Sequence, residues 1–120
     1  MNFDWKDFVR LAENLMNHHD EASLRSAISR AYYGVFCISR NKKGFKNYKL
    51  KKGENIHWII INKYKNSYDK NEKIVGKYLD DLRRNRNYSD YDEDETIDFK
   101  IAQRVLIKTK KILDNLGINL

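Results

Sequence analysis

The sequence predicts an all-α fold, a bundle of four or five helices. Three observations carry this. The 120 residues contain no proline, and only five glycines punctuate them. Apolar residues recur at three- and four-residue steps over most of the length. Neither the turn chemistry nor the even strand spacing of a sandwich or barrel is evident.

The first helix is expected from about Asp4 to Asn17, with Trp5, Phe8, Leu11 and Leu15 on one side. The second begins after Asp20, a good N-cap, and continues to about Asn41. Its stripe is Leu24, Ala27, Ala31, Val35 and Ile38. Ala27, Ala31 and Gly34 are small and lie near one face, which lets another helix approach closely. Residues 42–53 form a basic loop marked by Gly44 and Gly53. A third helix covers Glu54 to Lys65 with Ile56, Ile59, Ile60 and Tyr64. Its WIII core also fits a buried strand by pattern, but no partner strand exists. A fourth helix covers about Asn71 to Asn87. A fifth starts near Asp94 or Thr96 and ends before Gly117, which suits the position past a helix end. Helices joined by short connections pack as a bundle.

The length suits one domain, residues 1–120. A chain this short buries only about two thirds of its unfolded surface, so a symmetric partner would help to cover apolar area. Hydrophobic residues at 41% and charged residues at 34% indicate a globular, well-solvated chain. No apolar run approaches the roughly 18 residues of a membrane span. The first residues, MNFDWKDFVRL, carry acids and no cleavable apolar stretch, so no signal peptide is expected. Cys37 is the sole cysteine, which excludes an intrachain disulfide and fits a reducing cytoplasm.

The net charge of +7 suits nucleic acid, or simply solubility. Its distribution says more. Arg40, Lys42, Lys43, Lys46, Lys49, Lys51 and Lys52 form a run without acids, and Asp90, Asp92, Glu93, Asp94, Glu95 and Asp98 form an acidic segment. Such runs are most simply solvated loops.

The fourth helix breaks the pattern. Its apolar stripe is Val75, Tyr78, Leu79 and Leu82, and the next positions on that face are Asn85 and Arg86. An arginine buried without a partner is costly, so Arg86 must meet a carboxylate, a carbonyl, a dimer partner or a ligand phosphate. Asn87, Tyr88, Asp90 and Tyr91 follow. Together they offer donors, an acceptor and a stacking surface, the groups that hold RNA phosphates and unstacked bases. A purely structural reading is also open, in which Arg86 pairs with Asp90 to close the helix end and Tyr91 packs on the bundle.

Two stretches carry a family resemblance. DEASLRSAISRAYYGVFCISR, Asp20 to Arg40, and LRRNRNYSDYD, Leu82 to Asp92, together resemble the HEPN domain family. The branch is the one whose second motif reads LRxxRNxADY. The matching positions are Leu82, Arg83, Arg86, Asn87, Ser89 in place of the usual alanine, Asp90 and Tyr91. With the flanking helices, the resemblance covers nearly the whole chain.

The resemblance implies a HEPN-like bundle that forms a homodimer. It implies activity of toxin–antitoxin or defence type, as in the family's metal-independent endoribonucleases. Their composite site lies at the dimer interface and uses an Arg-x4-6-His motif from each subunit. Many are encoded beside a nucleotidyltransferase, which in some pairs adds nucleotides to a tyrosine near that motif. No cofactor is implied.

One departure is serious, because the second motif contains no histidine. With Arg86-Asn87 as the family's Arg-Asn, Tyr91 takes the histidine position. With Arg84-Asn85 in that role, Ser89 takes it and Tyr91 falls where the modified tyrosine lies. The first register is preferred, since it places Arg86 on the inward stripe. Tyrosine and serine of ordinary pKa are poor bases near neutral pH, and Asp90 is a weak one.

Two readings follow. In the first, RNA is bound or cut at a dimeric site. Arg86 stabilises phosphate charge, Asn87 orients the phosphate, Asp90 or Tyr91 handles protons, and Arg83 and Arg84 bind RNA. In the second, a non-catalytic HEPN module binds a nucleotide, an RNA or a partner nucleotidyltransferase. Other chemistry finds no support in the sequence. His18 and His19 are neighbours that point about 100° apart on a helix and form no chelate, so no metal site is expected. His57 is expected to be a packed or surface histidine, and Cys37 a small core residue. No Gly-rich phosphate loop or Ser–His–Asp set is present.

Overall fold

A computed structural model describes residues 2–120. The chain forms an all-α bundle of five helices, α1 (Lys6–Leu15), α2 (Glu21–Lys42), α3 (Ile56–Lys65), α4 (Lys70–Tyr91) and α5 (Phe99–Asn115). No strand occurs among the described residues. Four of the starts are capped by side chains, those of Asp20, Asn55, Asp69 and Asp98, each accepting a backbone N–H. Caps of this kind are worth about 1 kcal/mol apiece.

The boundaries of α1, α2 and α3 lie within two residues of expectation, but two others differ more. α5 begins at Phe99 rather than at Asp94 or Thr96. Asp98 takes the cap, and Ile97, 5% exposed, anchors the segment before it in the core. α4 does not stop at Asn87 but continues one more turn to Tyr91. The cause is distant in sequence. The last carbonyls of a helix need partners, and here Arg25 of α2 supplies them. Its Nη1 donates to the carbonyls of Tyr88, Ser89 and Asp92 at 3.1, 3.1 and 2.9 Å, and its Nη2 donates to that of Glu95. Glu21, one turn earlier, accepts from Arg25 Nε at 2.8 Å and aims the fork.

α2 is the central helix, packed against α1, α4 and α5. It runs antiparallel to α4, since Arg25 near its start meets the end of α4 and Lys43 past its end pairs with Glu72 at the start. α1 crosses α2 closely, as the small residues of α2 predict. A Cβ at Gly34 would lie 2.9 Å from Val9 Cγ2 and 3.1 Å from the Trp5 carbonyl oxygen. α3 and α4 form a second antiparallel pair whose contact depends on Gly76. A Cβ there would lie 2.5 Å from the backbone nitrogen of Lys65. The core between the helices is built from Ile28, Val35, Ile60, Leu79, Leu82 and Ile112, all sealed from solvent.

Candidate functional site

α4 changes character along its length. Val75, Leu79 and Leu82 are fully buried. Arg86 continues their stripe as expected, with its side chain 21% exposed. Because α4 runs on to Tyr91, Asp90 stands one turn after Arg86 on the same helix. Arg86 Nε donates to Asp90 Oδ2 at 2.8 Å, and Ser29 Oγ of α2 donates to the same oxygen at 3.1 Å. The structural reading is thus half realised. Arg86 does pair with Asp90, but Tyr91 is 74% exposed and does not pack on the bundle. Its ring centre lies 5.6 Å from the Arg86 guanidinium carbon, within cation–π range.

The pair with Asp90 occupies only Nε of Arg86. The two terminal nitrogens make no bond among the described residues, and neither does the side chain of half-buried Arg83. Arg83 and Arg86 are three apart and so share a face. Asn87 is exposed beside them. Arg84 points elsewhere and is held by Asp80 at 3.0 Å and Asp81 at 2.5 Å. Asn85 lines a cleft of about 250 Å³ between α4 and α5, together with Tyr88, Ile101 and Arg104. Ser89 is buried at 4% exposure, and its hydroxyl has no partner. Arg83, Arg86, Asn87, Asp90 and Tyr91 therefore share one side of α4, while Arg84, Asn85 and Ser89 lie off it.

Two further residues lie on this side: His57, expected as a packed or surface histidine and found packed, and Tyr32, which the sequence did not single out. Tyr32 of α2 is fully buried, and its hydroxyl lies 2.7 Å from Nδ1 of His57, the second residue of α3. The imidazole stacks on Phe36 with ring centres 4.3 Å apart. Burial, then the charges of Arg83 and Arg86, lower the His57 pKa from 6.5 to about 4. Burial raises the Tyr32 pKa despite the same two arginines, so its hydroxyl stays protonated. His57 lies between the two motifs in sequence, and neither contains it. Only the packing of α3 against α4 brings it to the arginines. The one local hint was a tyrosine inside the apolar stretch of the first motif, whose hydroxyl would need a partner.

Cys37 is buried among apolar side chains, and burial pushes its thiol up to about 11, as suits a core residue. His18 and His19 are exposed, and His19 stacks on Phe99 at 4.8 Å. Among the described residues no group of three His, Cys, Asp or Glu side chains is placed to hold a metal ion. No helix there is long and apolar enough to cross a membrane. Comparisons with protein-family models, curated proteins and solved structures give no match.

Proposed function

We propose that this chain is a HEPN-type protein of toxin–antitoxin or defence kind that binds RNA in the cytoplasm, as a homodimer, through the Arg83–Arg86 face of α4. The observation that carries the reading is the open pair of guanidiniums. Arg83 has no acidic partner among the described residues, and Arg86 keeps its terminal fork while Asp90 holds Nε. A guanidinium fork matches phosphate geometry, and two on one helix face match adjacent phosphates of a single strand. Exposed Tyr91 supports base stacking, and exposed Asn87 supports polar contact with a base or sugar.

The test is a titration of labelled single-stranded RNA by fluorescence anisotropy at two salt concentrations. Affinity should fall as salt rises, and each phosphate deprived of its arginine should flatten the logarithmic slope by about 0.7. Arg83→Ala and Arg86→Ala should each weaken binding, with circular dichroism unchanged. Equal affinity in wild type and the double variant would sink the reading. Sedimentation of the same samples should give the mass of two chains, and a monomer at micromolar concentration would remove the dimer from it.

A second reading, the non-catalytic module served by a nucleotidyltransferase, is favoured by one observation. Tyr91 ends α4 at 74% exposure, within reach of a modifying enzyme. Its mark would be an added nucleotide that Tyr91→Phe abolishes; addition to both proteins alike would exclude it.

A further inference from the structure

His57 has the surroundings of a working imidazole rather than of a core one. Asn55 fixes the start of α3, accepting the His57 backbone N–H at 2.9 Å. Phe36 sets the plane of the ring from below, and Tyr32 holds Nδ1. The other nitrogen, Nε2, bonds to nothing among the described residues. It is not sealed either, since Ser89 Oγ is the one buried side-chain polar atom left without a partner there. One nitrogen is held and the other open, and Tyr32, which holds the ring, stands one turn along α2 from Ser29, which bonds Asp90, the partner of Arg86. A base oriented by a second group and set next to an anion-binding pair is the arrangement acid–base chemistry at a phosphate requires.

The hydroxyl of Tyr32 suits this place because it both donates and accepts. When it donates to Nδ1, Nε2 carries the ring proton. When it accepts from Nδ1–H, Nε2 presents a lone pair. A carbonyl in its place would fix one tautomer, whereas a hydroxyl serves both.

We propose that His57, carried on α3 and not on α4, is the acid–base residue of this site, with Tyr32 as its positioning residue. The inference rests on the RNA reading above. In the step it assigns, the ribose 2′-oxygen attacks the adjacent phosphorus as its proton passes to Nε2. The bond from phosphorus to the 5′-oxygen breaks, and the departing oxygen takes a proton from water. The imidazolium then releases its proton to solvent and His57 is neutral again. The products are a 2′,3′-cyclic phosphate and a 5′-hydroxyl.

The electrostatics favour this order of events. In the unliganded protein the ring is neutral at pH 7, because burial and the two arginines oppose its protonation. A phosphodiester seated between Arg83 and Arg86 offsets those charges. The imidazole becomes a stronger base when substrate is in place.

The experiment uses the full chain with an RNA and a DNA strand of the same sequence, the second having no 2′-hydroxyl to react. Wild type should cut the RNA and bind the DNA strand. His57→Gln should cut about 100-fold more slowly while binding the DNA strand within about twofold of wild type. Tyr32→Phe should slow cutting less and move the acid limb of the pH–rate profile. A second measurement needs no variant: the His57 ring, followed by NMR, should titrate at higher pH when the DNA strand is bound. Cutting by His57→Gln at the wild-type rate would overturn the inference. So would intact RNA with wild type, or a His57 titration unmoved by the bound strand. In all three cases binding that depends on Arg83 and Arg86 would leave the RNA reading standing. Loss of that binding in wild type would remove both.

Discussion

Ser89 sits in the last turn of α4, buried at 4% exposure, with a hydroxyl that bonds to nothing. Burying an unpaired polar atom costs free energy that an apolar side chain of similar size does not. The pattern that the second motif resembles carries alanine at this position. Ser89→Ala should therefore stabilise the fold by about 1 kcal/mol, seen as a higher urea midpoint with an unchanged slope. A lower midpoint would mean that the hydroxyl has a partner. Arg86 was legible at the same scale, because a charged residue on an apolar stripe demands an explanation. Its pairing with Asp90 was legible as an alternative, and so was the core role of Cys37. His57 was not legible as a site residue. A histidine next to a tryptophan in an apolar helix carries no local sign of what lies across from it.

Among the elements, α4 is the one whose end the sequence misplaced, and the site depends on that end. Had α4 stopped at Asn87, Asp90 and Tyr91 would have been loop residues with no fixed relation to Arg86. Local signals for a stop were present in the acidic residues that follow, and there was none for a cap supplied by Arg25, more than sixty residues earlier. The same limit applied at α5, where Asp94 and Thr96 were the candidate starts and the cap at Asp98 goes with the burial of Ile97 beside it. Arg25→Ala should unravel the final turn of α4 before anything else. The expected loss is about 2 kcal/mol of stability, with faster amide exchange at Tyr91 and Asp92 and little change in α1. Unaltered exchange there would show that water replaces the guanidinium without cost. Helix existence, by contrast, was legible for all five elements, since each shows the periodicity and four of them begin at a capping side chain.

At the scale of the whole molecule, the buried imidazole links stability to acid. His57 titrates near 6.5 in an unfolded chain and near 4 in the fold. Between those values the unfolded chain takes up a proton that the folded one refuses. This part of the stability is therefore complete above pH 6.5 and is lost as pH falls toward 4. The ring stacks on Phe36 and bonds to Tyr32 of α2, and the charges that act on it, those of Arg83 and Arg86 from α4, both oppose its protonation. The urea midpoint of wild type should decline between pH 7 and pH 4.5 more than that of His57→Gln. Parallel declines would show that His57 is not their source, since carboxylates such as Asp80, held below its ordinary range by Lys65 and Arg84, lose their share at more acid pH. The tight approach at Gly76 has a further consequence. α3 is fastened at both ends, by the Lys65 backbone against Gly76 and by the bond of His57 to Tyr32. The chain from Lys43 to Asn55 is thus a tether, not a ruler. Doubling its length would add only about 0.6 kcal/mol of closure cost, and the imidazole would keep its address.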